Sequence, residues 1–81
     1  MTEALTSAIE TETGRLATIP DPAERFHAAR EIREALAAGD RAVKALERAA
    51  VNDLKEGRPW REVGEALGMS GSRAEQIARG R

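Results

Sequence analysis

The chain has no cysteine, a single histidine and no long apolar run, and each absence narrows what it can do. Without cysteine there is no disulfide, no thiolate zinc site and no cysteine nucleophile, which suits a reducing compartment. The lone histidine, His27, has no metal partner at useful spacing and reads as a helix-surface residue. There is no phosphate-binding loop, and 81 residues are too few to enclose a pocket. Neither catalysis nor a cofactor is therefore expected. No stretch approaches the ~18 apolar residues of a membrane span. The opening MTEALTSAIETETG carries acids where a signal peptide has a basic flank and an apolar run. The expectation is a cytoplasmic, nucleoid-associated protein with no membrane partner.

What is present is charge, unevenly placed. A third of the residues (33%) are charged and the net charge is -1. Residues 1–54 hold 7 Lys/Arg against 10 Asp/Glu, whereas residues 55–81 hold 6 against 4. A polyanion would be met at the C-terminal end. The chain is one domain at most, and one this short buries only about 60–65% of the surface it exposes when unfolded. A second copy or a partner is expected to supply part of the core.

The pattern is all-α: an N-terminal helix, a long central helix and a C-terminal helix-turn-helix. Leu5, Ala8, Ile9, Leu16 and Ile19 recur at roughly helical spacing from a Thr2 cap, with Thr11, Thr13 and Gly14 weakening that helix. IPDP, Ile19 to Pro22, forms the first boundary. Asp21 can cap a helix that starts at Pro22, where proline forfeits no helical hydrogen bond. Gly39-Asp40 reads either as an interruption tolerated within one helix to about Glu56 or as the turn of a two-helix hairpin. Phase favours the single helix. Ala29, Ile32, Leu36, Val43, Leu46, Ala50 and Leu54 fall in one stripe about 100° wide, in phase across Gly39.

The same stripe fits heptads, so Ile32, Leu36, Val43 and Leu46 are candidates for the seam of a homodimer. Gly39 and Asp53 at seam positions weaken such a coil. The alternative is that the stripe packs on the rest of its own chain. Residues 1–56 thus read as a helical dimerisation or support region, and residues 57–81 as a separate unit.

In that unit Gly57-Arg58-Pro59 breaks the long helix. Trp60, Val63 and Leu67 then share one face, while Arg61, Glu62 and Glu65 point away. This phase makes Trp60 a core residue rather than a base-stacking one. Gly68 provides a turn at positive φ, and Ser70 caps a second helix with Ala74, Ile77 and Ala78 inward. Ser72, Gln76 and Arg79 face outward, with Arg73 on the flank. Gly64 and Ala74 are small where the two helices cross, and Val63, Leu67, Met69 and Ile77 supply a little core. Helix, short glycine turn, helix is the arrangement whose second helix enters the DNA major groove.

The stretch WREVGEALGMSGSRAEQIARGR resembles the helix-turn-helix of sigma-factor region 4 and of small stand-alone actinobacterial regulators. Trp60, Val63, Gly64, Leu67, Met69, Ser70, Arg73, Gln76 and Ile77 match that pattern in order, over residues 57–81 only. The resemblance implies DNA binding. Gly71-Ser72 and Glu75 stand where that family tends to carry Arg-Glu and a basic residue, so reading of a promoter -35 element does not carry over.

Arg73 and Gln76 are the first candidates for base reading, since arginine can bridge guanine O6 and N7 and glutamine adenine N6 and N7. Arg79 and Ser72 join them. Ser70, Gly71 and Ser72, with the N–H groups of the helix start, are suited to a phosphate, and Arg58, Arg61 and Arg81 add nonspecific attraction. Glu75 either opposes phosphate or accepts from a cytosine amino group. The terminal RGR reads as a frayed helix end rather than a minor-groove arm.

The expected function is sequence-specific binding of double-stranded DNA by a small transcriptional regulator, a dimeric repressor. Its recognition helix would span about residues 71–79. The competing reading is an interaction module or antitoxin whose long helix binds a protein partner such as RNA polymerase or a toxin.

Overall fold

The computed structural model describes residues 1–80. These form four helices, α1 (Glu3–Ala17), α2 (Pro22–Lys55), α3 (Trp60–Leu67) and α4 (Gly71–Ala78), and the described residues contain no strand. No helix among them is long and apolar enough to cross a membrane. The chain divides into two compact units, Met1–Ala38 and Gly39–Arg81.

In the N-terminal unit, α1 runs through Thr11, Thr13 and Gly14 without a break. The threonine expected to weaken it is accommodated locally, because the Thr13 hydroxyl donates to the Glu10 carbonyl (3.1 Å). An Arg15–Glu12 ion pair at 2.7 Å adds a contact one turn apart. Thr2 precedes the helix, but its side chain makes no capping bond. Leu16 is buried, and Ile9, Ile19, Ala28 and Ile32 are half-buried. At the IPDP boundary the Asp21 carboxylate accepts from the Glu24 N–H (3.0 Å), which caps α2 as the sequence suggests. Arg25 donates to the Ile19 carbonyl (3.0 Å) and ties down the preceding turn.

α2 is one helix, and Gly39 lies in its interior. Gly39 is not among the glycines at positive φ, and Asp40 and Lys44 form an i,i+4 pair at 3.3 Å directly after it. The hairpin alternative is thereby excluded. A helix that keeps its backbone hydrogen bonds across glycine loses only propensity.

α2 ends at Lys55, where Gly57 takes a left-handed φ of 69° and the Arg58 guanidinium donates to the Leu54 carbonyl (2.8 Å). The core of the C-terminal unit follows from there. Val51, Val63 and Ala74 are buried together, with Leu54, Trp60, Met69, Ile77 and Ala78 packed around them. Two corrections to the sequence expectation arise. The end of α2 turns Val51 inward, a residue outside the Leu46–Ala50–Leu54 stripe, so the face buried here is rotated from the one the spacing selects. Leu67, expected in the core, is 37% exposed. It is the last residue of α3, and the turn residue Met69 packs on the core instead.

Gly39→Ala is expected to stabilise the protein by about 0.5–1 kcal/mol, since an added Cβ meets nothing within 4 Å. Urea denaturation with an unchanged slope and a higher midpoint would bear this out, and a lower midpoint would mean that the helix bends or breaks there.

Candidate nucleic-acid interface

α3 and α4 make the closest backbone approach of any helix pair in the described residues. Their geometry starts from glycine. Gly68 adopts a left-handed conformation (φ 72°, ψ 33°), Met69 N–H donates to the Gly64 carbonyl (2.9 Å) and Gly68 N–H to the Glu65 carbonyl (3.4 Å). That pair of bonds is a Schellman closure, which satisfies the last carbonyls of α3 and turns the chain sharply. Ser70 then starts α4, its hydroxyl oxygen accepting from the Arg73 N–H (3.0 Å).

Two further glycines let the helices meet backbone to backbone. A Cβ on Gly64 would fall 2.5 Å from the Met69 carbonyl oxygen and 2.8 Å from the Gly71 nitrogen. A Cβ on Gly71 would fall 2.9 Å from the Trp60 carbonyl oxygen. Gly64 is therefore small to admit the turn itself, and Gly71 to seat the first turn of α4 on the first turn of α3. The sequence reading gave Gly71 only a phosphate role, and its packing role is an addition. The signal was present: glycine at the first position of a helix, without a turn to explain it, implies a close neighbour.

The side chains proposed for base reading share one surface. Ser72, Arg73, Gln76 and Arg79 are exposed, while Ala74 on the opposite face is fully buried and Ile77 and Ala78 are half-buried. Their mutual contacts are light. Arg73 Nη1 lies 3.4 Å from Gln76 Oε1, and Arg79 Nη2 pairs with Glu75 Oε1 at 2.8 Å. The latter is a solvent-facing i,i+4 pair, the kind worth about 0–1 kcal/mol. Glu75 is thus engaged by Arg79, a partner that sequence spacing permits.

The other candidates are placed as follows. Ser70 is committed to capping through its oxygen but keeps its hydroxyl proton to donate. Arg58 closes the end of α2 through the Leu54 carbonyl, and Arg61 is exposed on α3. Arg81 lies outside the described residues. Trp60 is half-buried against the core, with the Lys55 ammonium 5.3 Å from its ring centre. On α2, Ile32 is half-buried, and Leu36, Val43 and Leu46 are 45%, 58% and 70% exposed.

Two residues that sequence reasoning passed over lie beside α4. Lys44 and Arg48 of α2 line an open cleft with Glu47, Arg73, Ile77 and Gly80. They share the helix face of Val51, and recognising Val51 as buried would have brought them into view. No group of His, Asp or Glu side chains in the described residues could hold a metal ion.

Comparison of the chain with protein-family models, curated proteins and solved structures returns no match. The described residues define an all-helical protein in which the long α2 is followed by a tightly turned pair of short helices.

Gly64→Ala is expected to destabilise the protein by about 1–3 kcal/mol, because the contacted atoms are backbone and cannot swing aside. Thermal unfolding monitored through Trp60 fluorescence reports it. An unchanged midpoint would show that the helices are not in backbone contact.

Proposed function

We propose that this protein binds double-stranded DNA sequence-specifically, with α4 as the recognition helix, and acts as a small transcriptional regulator. The observation that carries the reading is the division of α4: a buried small-residue face seated on α3, and an exposed face made of Ser72, Arg73, Gln76 and Arg79. Exposed donors on a helix held rigidly by its neighbour meet the requirement for major-groove readout. The resemblance of residues 57–81 to the sigma region 4 motif supports the same reading. Arg73 and Gln76 lie one turn apart and address adjacent base edges, and Arg79 exchanges its weak pair with Glu75 for a base or phosphate. Ser70, Ser72 and the first N–H groups of α4 approach the backbone.

An eight-residue helix offers few base contacts. We therefore place two copies on the DNA, paired along Ile32, Leu36, Val43 and Leu46, with recognition helices about 34 Å apart on successive turns of one face. Repression would follow from occlusion of a promoter, with the protein at work on the nucleoid. The exposed apolar residues of α2 also favour a second reading, in which the stripe binds a different protein, such as a toxin or a polymerase subunit, and DNA binding is secondary.

Binding to labelled genomic fragments against random-duplex competitor tests the primary reading. A complex that survives competitor at moderate salt is expected. Arg73→Ala should weaken it by about 1–3 kcal/mol and relax preference at one base pair. Equal affinity of wild type and variant for every sequence would remove Arg73 from base reading. Equilibrium sedimentation should give twice the chain mass at tens of micromolar, and a single-chain mass would eliminate the paired arrangement.

A further inference from the structure

We infer that Lys44 and Arg48 of α2, in a cleft also lined by Arg73 of α4, grip a phosphate of one strand of a DNA duplex alongside the recognition helix. This rests on the DNA-binding reading and extends the interface to a helix outside the turn motif. The cleft has a volume of about 360 Å³ and is lined by Lys44, Glu47, Arg48, Arg73, Ile77 and Gly80. Three cationic side chains and one carboxylate therefore converge on one opening, where an anion relieves the repulsion among the cations.

Arg48 reaches the end of α4. A Cβ on Gly80 would fall 2.5 Å from Arg48 Nη2 and 2.9 Å from Cζ, so the guanidinium lies against the backbone at the end of α4 in space that glycine leaves open. Gly80 itself holds φ 78°, a conformation other residues seldom adopt. A guanidinium placed there can offer two parallel donors to a phosphodiester. Among the described residues Lys44 pairs with Asp40 at 3.3 Å, with side chains 68% and 63% exposed, a contact readily exchanged for phosphate. Arg73 reaches the same cleft from α4, so the residue proposed to read a base stands beside the cations proposed to fix its register. Backbone contacts of this kind set the orientation of a recognition helix without carrying sequence information.

The test is the salt dependence of binding of the full chain to a random-sequence DNA duplex about three helical turns long. Lys44→Gln and Arg48→Gln are each expected to lower the slope of log affinity against log salt by about 1, and the double variant by about 2. Affinity should fall by the same factor on every duplex sequence. Arg48→Gln could loosen α4 through Gly80, so Lys44→Gln carries the test independently. Arg15→Gln, an equal change of charge in α1, should leave the slope unchanged. Unchanged slopes in both cleft variants, or an equal drop in the Arg15 variant, would overturn the cleft while leaving DNA binding in place. Failure of the wild-type protein to bind any duplex would overturn the DNA-binding reading and the cleft with it.

Discussion

The backbone contact between α3 and α4 at Gly64 and Gly71 is the constraint on which the C-terminal unit depends. Among the described residues of that unit the fully buried hydrophobic side chains are Val51, Val63 and Ala74, and two valines and an alanine, ringed by half-buried neighbours, supply limited hydrophobic free energy. Orientation must come from elsewhere. Two helices that meet backbone to backbone have few alternative packings, because any side chain at either glycine would meet main-chain atoms at under 3 Å. The Schellman turn at Gly68 and the Ser70 cap then fix where α3 stops and α4 starts. Rigidity that a large core would normally provide is supplied here by close approach and by satisfied helix ends.

That local constraint bears directly on the proposed function. A recognition helix discriminates bases only if its donors are held to within a fraction of an ångström. α4 turns small residues, Ala74 and Ala78, inward and leaves Ser72, Arg73, Gln76 and Arg79 exposed, the division on which the proposed DNA-binding reading rests. α2 contributes in two directions within the same unit. Its Val51 face closes the core, and Lys44 and Arg48 on that face flank α4, while Val43 and Leu46 lie outside the core and remain exposed. Uncovered leucine and valine at helical spacing are costly to leave in water, which is why a second copy or another protein is proposed to cover them.

Much of the fold was legible because its boundaries are written in residues with strong backbone preferences. Asp21-Pro22, Pro59, Gly68 and Ser70 mark the helix ends through capping and φ restrictions that act locally. The unbroken phase of the apolar stripe indicated that α2 continues through Gly39. Less legible was which neighbour each face would meet. Periodicity selected Leu46, Ala50 and Leu54, of which Leu54 packs on the core while Leu46 and Ala50 stay exposed and Val51 is buried in their place, since the direction from which α3 and α4 approach is a tertiary property. Leu67 shared the phase of Val63 but occupies the last position of its helix. For the candidate site, the outward face of α4 followed from spacing alone. Spacing permits the Arg79–Glu75 pair without selecting it, whereas the seating of Gly71 on Trp60 and the convergence of Lys44 and Arg48 on Arg73 depend on tertiary placement that spacing does not encode.

The most direct measurement of the central claim is to follow the backbone amide resonances of isotopically labelled protein as a bound genomic duplex is added. The largest shifts are expected on Ser72, Arg73 and Gln76 of α4, with Lys44 and Arg48 following. Shifts absent from α4, or confined to Leu36, Val43 and Leu46, would contradict that claim.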